Sequence, residues 1–195
     1  MILDFYTNKI FPTKIMFKDL LDDSEEYKKV LNLELKNKIE TLAKDAVYLN
    51  LDTWNSLKNL HQKEEFKEIT ILLERLLDGV YATLNIESTP KIKEMWANIN
   101  YPGGYENIHT NPNSKFSGVY YVDIPEQSGN IFFKDPRSGA ELLKPNYIDY
   151  SEDCLTKQTF FGKEGMVFIF PSWLPYGVET NKSNLKRISI SFNVD

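Results

Sequence analysis

From Arg187 to Phe192 the chain alternates strictly, so that Ile188, Ile190 and Phe192 share one face of a strand while Arg187, Ser189 and Ser191 share the other. A strand with one greasy and one polar face belongs in a sheet whose apolar side is covered and whose polar side meets either solvent or the inside of a barrel. If that side meets solvent, the segment is an ordinary edge strand. If it looks inward, a guanidinium with two flanking hydroxyls is a fixed fork for a carboxylate, bidentate and charge-assisted. Just upstream, Met166 to Phe170 is continuously apolar and is stopped by Pro171. That pattern fits a strand buried on both faces and ended by a residue that cannot donate to a ladder.

The first half of the chain reads differently. Residues Ile10 to Phe17 alternate loosely around Pro12 and suit a short edge strand joining the main sheet. Asp23 and Glu26 fit a capping box, and Tyr27, Val30, Leu31, Leu35, Ile39 and Leu42 follow at near-helical spacing to an end near Lys44. A second helix carries the stripe Phe66, Ile69, Leu73, Leu76, Leu77, Val80 and Leu84. Both helices are assigned to one outer face of the sheet structure, because neither stripe can be buried by the pair alone.

Pro90 breaks the helical pattern, and short β segments separated by Gly, Pro and Asn turns take over. Expected strands are Ile92 to Asn100, Phe116 to Asp123, Gly129 to Lys134, Gln158 to Phe161, Met166 to Phe170 and Lys186 to Val194. Pro136 to Thr156 has no clean period and is expected to be a long loop able to cover a barrel mouth. The fold expected is mainly β with α, a single domain over residues 1–195. Its first 90 residues form the edge strand and helical jacket, and residues 91–195 form the β core.

Twelve Phe, 11 Tyr and 3 Trp favour a β-rich fold with a pocket over a helix bundle. A net charge of -5 with no block of Lys or Arg argues against a nucleic-acid groove, which needs clustered cations. The single cysteine, Cys154, rules out an intrachain disulfide framework and suits a reducing compartment. The N-terminus lacks a basic region followed by a long apolar core, and no apolar run reaches bilayer length. A cytoplasmic protein acting on neither nucleic acid nor membrane is expected.

Two stretches carry a resemblance. FPSWLPYGV followed by RISISFN, and WANINYPGGYENIHTNPNSKFSGVYYVDIPEQSGNIFFKDPR from Trp96 to Arg137, together cover about a third of the chain. They resemble the 2-oxoglutarate and Fe(II)-dependent oxygenase superfamily. Within it they look like a small bacterial and phage family that reads FPSWLxHxV and then RxSxSFN. The resemblance implies a double-stranded β-helix, or jelly-roll, core. It also implies Fe(II) and 2-oxoglutarate as cofactors, hydroxylase-type oxidoreductase chemistry, and a small-molecule or peptide substrate, with a homodimer as the assembly to test.

Carried over residue by residue, the resemblance places the first metal ligand at His109. The next falls two residues on, a spacing that returns a strand side chain to the same face, and that position is Asn111. Where the family has its distal histidine this chain has Tyr176. A 2-His-1-carboxylate triad is therefore altered at two of three positions. An amide oxygen is neutral and a weaker donor, and a phenol with a reference pKa of about 10 must lose its proton to ligate as an anion. The co-substrate positions are kept. Arg187 and Ser189 fall on the RxS motif that grips the distal carboxylate of 2-oxoglutarate, and one of Tyr120 and Tyr121, with Tyr120 preferred, would add a hydroxyl.

His61 lies among polar residues and is assigned to the surface, and Asp135 with Arg137 to a turn-stabilising pair. Three functions remain open on the sequence. They are an oxygenase with an altered iron site, a catalytically inactive relative that keeps the carboxylate pocket, and a sugar-binding jelly roll using exposed aromatics such as Trp173.

Overall fold

The computed structural model describes residues 6, 8–20, 24–44, 52–149 and 154–195. In chain order its elements are β1 (Met16–Asp19), α1 (Glu25–Leu42), β2 (Thr53–Asn55), α2 (Lys67–Thr83), β3 (Ile92–Asn100), β4 (Glu106–His109), β5 (Phe116–Asp123), β6 (Ile131–Lys134), α3 (Ser138–Leu142), β7 (Lys157–Phe160), β8 (Met166–Pro171), β9 (Tyr176–Val178) and β10 (Arg187–Val194). Among the described residues the strands form two antiparallel sheets, of order β1-β8-β5-β10-β3-β2 and β4-β9-β6-β7. This is the jelly-roll architecture with helices added.

The alternation of β10 sets what lies on either side of the larger sheet. Ile188, Ile190 and Phe192 join Leu31, Leu35 and Ile39 of α1 and Ile69, Leu73 and Leu77 of α2 in one apolar cluster. Each such fully buried side chain is worth roughly 1.5–3 kcal/mol relative to exposure, so the helices and this face of the sheet stabilise each other. The β8 run divides itself in the same way. Val167 and Ile169 face the helices, while Phe168 and Phe170 join Val119, Tyr121, Ile131, Phe133, Leu174 and Tyr176 between the two sheets.

Several details differ from the sequence reading. The helix start expected at Asp23 lies outside the described residues, and the cap is Ser24, whose side chain accepts from the Tyr27 backbone N–H at 3.3 Å. In α1, Val30 and Leu42 are exposed rather than part of the buried stripe. The edge strand is Met16–Asp19, paired with β8, so the chain up to Ile15 lies before it. The segment after β6 contains the short helix α3. β2, β4 and β9 have three or four residues each, too few for an alternation to register. No helix among the described residues is long and apolar enough to cross a membrane.

Candidate functional site

The polar face of β10 opens onto a cavity of about 250 Å³ between the sheets, lined among others by Arg187, Ser189, Ser191, Asn98, Asn100, His109, Asn111 and Tyr176. Position, not exposure, therefore makes the face polar. Arg187 is only 2% exposed. Its Nη1 donates to Asn100 Oδ1 at 3.1 Å and to Ser189 Oγ at 3.3 Å, while Nε is buried with no hydrogen-bond partner. Among the described residues no carboxylate comes within ion-pair distance of it. Burial pushes the guanidinium pKa down, against the pull of Tyr121 and Glu106. A buried cation held only by neutral groups is a costly arrangement that an anion would relieve.

Strand register decides which tyrosine shares this space. Tyr121 pairs with Ser189 across β5 and β10, and Tyr120 with Ile190. Partners directly opposite point to the same face. Tyr121 accordingly lies under the guanidinium, its ring centroid 5.1 Å from Arg187 Cζ. A close approach by Gly162 keeps it there, where an added Cβ would come within 2.0 Å of the Tyr121 ring. The Tyr121 hydroxyl is buried with no partner at hydrogen-bond geometry, and burial raises its pKa while the charge of Arg187 and its approach to the hydroxyl lower it. Tyr120, the residue preferred from the sequence, lies on the opposite face. Its hydroxyl donates to Asn32 Oδ1 of α1 at 2.5 Å, inside the helix-packed core and away from the cavity. The preference for Tyr120 is thus corrected: it is Tyr121 that shares the face of Arg187.

At the other end of the cavity His109, Asn111 and Tyr176 come together. His109 and Tyr176 are paired across β4 and β9 with ring centroids 4.4 Å apart. Asn111 Nδ2 donates to Tyr176 Oη and to Ser117 Oγ, both at 3.0 Å. Ser117 Oγ in turn donates to Asn193 Oδ1 at 2.9 Å, and Asn193 Nδ2 to Glu94 Oε2 at 2.9 Å. His109 Nδ1 lies 2.8 Å from the Asn107 carbonyl, which can only accept, so Nδ1 carries a proton and donates to it. Burial pushes the Tyr176 phenol up to about 12, opposed by the Asn111 hydrogen bond. The phenol is therefore neutral at physiological pH.

The two cofactors that the resemblance implies fare differently. A carboxylate fits, because Arg187, buried with Nε orphaned, and the Ser189 hydroxyl line one wall of the cavity, with the Tyr121 ring beneath the guanidinium. Fe(II) in a 2-His-1-carboxylate site does not. At the three family positions the donors are one imidazole, one neutral amide already engaged with its neighbours, and one protonated phenol. Among the described residues no cluster of three His, Cys, Asp or Glu could hold a metal ion.

Glu106 was not foreseen. It lines the same cavity, half-buried, with Oε1 3.5 Å from Asn100 Nδ2. Burial raises its pKa, and the charges of His109 and Arg187, with the Asn100 hydrogen bond, lower it. Glu106 and His109 are three positions apart, so a regular strand would send them to opposite faces. An irregularity in the β4–β9 register brings both inward. Asn98 and Asn100 were also overlooked, although their spacing of two on β3 signals a shared face; Asn98 Nδ2 donates to Ser191 Oγ at 2.9 Å.

The remaining expectations concern residues away from the cavity. His61 sits in a 3-10 turn, Leu60–Gln62, and does not line it. Asp135 and Arg137 form a bidentate pair at 2.9 and 2.7 Å, and Trp173 is exposed outside the cavity.

A family model described as "Putative 2OG-Fe(II) oxygenase" matches residues 94–193. No curated protein sequence matches the chain. Among solved structures, HygX from Streptomyces hygroscopicus with nickel and 2-oxoglutarate bound is similar at 12% identity, covering 93% of this chain and 82% of that one, with a TM-score of 0.63. A prolyl-4-hydroxylase from Pseudomonas putida is similar at 14% identity, covering 93% and 92%, TM-score 0.63. The viral collagen prolyl hydroxylase of Paramecium Bursaria Chlorella virus-1, a 2OG complex, matches at 13% identity, covering 92% and 94%, TM-score 0.57. At such identities the likeness is one of fold.

Proposed function

This chain belongs to the 2OG-Fe(II) oxygenase family, and from that premise we propose that it binds a small carboxylate of the 2-oxoglutarate class, gripped by Arg187 and Ser189 in the cavity wall with Tyr121 beneath the guanidinium. The observation that carries the reading is the Arg187 guanidinium, 2% exposed, with Nε unpartnered in the wall of a polar cavity. Ser189 and Asn100 orient the fork by both accepting from Nη1. The Tyr121 hydroxyl supplies a neutral donor to the same carboxylate. The test is the melting temperature of the whole chain with 2-oxoglutarate, succinate and other small carboxylates. If none stabilises the protein, the assignment is withdrawn and Arg187 is a structural residue.

The convergence of His109, Asn111 and Tyr176 at the far end of the cavity favours a second reading, an oxygenase with an altered metal position acting on a small molecule or peptide. Fe(II), if held there, would supply the oxygen chemistry of the family. Anaerobic loading with Fe(II), followed by oxygen and 2-oxoglutarate, separates the two. Succinate formation would establish the second reading, and its absence together with absent metal binding would leave the carboxylate-binding module.

A further inference from the structure

We infer that the preferred ligand of this cavity is a small amino-carboxylate, its carboxylate on Arg187 and its ammonium on Glu106. The inference rests on the carboxylate reading of Arg187 and names the ligand class for that same site. Arg187 and Glu106 line one cavity, on either side of Asn100, which accepts from the guanidinium through Oδ1 and offers Nδ2 to the carboxylate. They make no direct ion pair, and among the described residues neither has another salt-bridge partner. The cavity thus presents one cation and one anion held apart by a neutral amide, which is the complement of a zwitterion.

A dicarboxylate meets that arrangement less well. Its first carboxylate pairs with Arg187, but its second meets Glu106 as a like charge. The other ammonium on the cavity lining, Lys58, is exposed at the rim and already engaged by Glu94 at 3.3 Å and by the Trp96 ring. The metal that would neutralise a second carboxylate lacks its donor set here. A ligand ammonium instead makes a charge-assisted hydrogen bond to Glu106.

The experiment compares two probes of matched length, glutarate and γ-aminobutyrate, which differ by one carboxylate replaced with one ammonium. Both are titrated by calorimetry into the intact protein without added metal. Expected is binding of γ-aminobutyrate about tenfold tighter than glutarate, because a charge-assisted hydrogen bond to Glu106 replaces a like-charge repulsion. In Glu106→Gln the order should reverse or level. Equal or tighter binding of glutarate to wild type overturns the inference, whether or not the variant folds, while leaving the carboxylate reading intact. Failure of both probes and of 2-oxoglutarate sinks the carboxylate reading itself.

Discussion

The two ends of the cavity solve the problem of buried polarity in opposite ways. At the His109 end polar groups satisfy one another, since Asn111 donates to Tyr176 and Ser117 and the chain of bonds runs on to Asn193 and the carboxylate of Glu94. At the Arg187 end a full charge is buried with one nitrogen unpartnered and a neighbouring phenol likewise. A closed network of hydrogen bonds is complete without a ligand, whereas a desolvated guanidinium is not. The difference shows which end of the cavity needs something from outside to complete it.

The comparison breaks first if Arg187 proves dispensable. A carboxylate at about a hundred times its dissociation constant should stabilise wild type by roughly 2.7 kcal/mol, raising the melting temperature by several degrees. Arg187→Ala should lose that shift entirely while still folding, because Ile188, Ile190 and Phe192 keep the helix-facing side of β10. Calorimetric scans with and without ligand check it, and an undiminished shift in the variant would place the carboxylate elsewhere.

The opposite end can be sharpened by rebuilding it. Asn111→Asp with Tyr176→His restores two imidazoles and a carboxylate at positions that already converge. Outer-shell partners of a metal are worth about 10- to 100-fold in affinity, so restoring ligands themselves should tighten Fe(II) binding by at least that much. Titration of Fe(II) under nitrogen reads the outcome. No increase in affinity would mean that the geometry, and not only the donor chemistry, has departed from a metal site.

Smaller effects separate the adjacent tyrosines. Tyr120→Phe removes the hydrogen bond to Asn32, whose Nδ2 is already unpartnered, so stability should fall by about 1–3 kcal/mol with ligand affinity unchanged. Tyr121→Phe removes a hydroxyl with no partner, so the ligand-free protein should change by less than about 0.5 kcal/mol. Carboxylate affinity should instead drop about fivefold, near 1 kcal/mol, in the same titrations. If the two substitutions exchange these phenotypes, the register of β5 against β10 is wrong.

What the sequence determined by itself was everything that repeats with a local period. The RISISF alternation, the buried run of β8 and the stripe of α2 each state which face is covered, because side-chain direction follows from two or 3.6 residues per repeat. The family words likewise placed His109, Asn111, Tyr176, Arg187 and Ser189 before any fold was in hand, and all five line the cavity. Only the tertiary structure could choose between Tyr120 and Tyr121, since parity within β5 leaves both faces open until its pairing with β10 fixes one. Only it could bring Glu106 inward beside His109, because the irregularity in β4 breaks the very period from which a sequence argument proceeds. And burial of Arg187, which turns a polar strand face into a binding site, arises from a second sheet closing over the first, a long-range contact that no local pattern encodes.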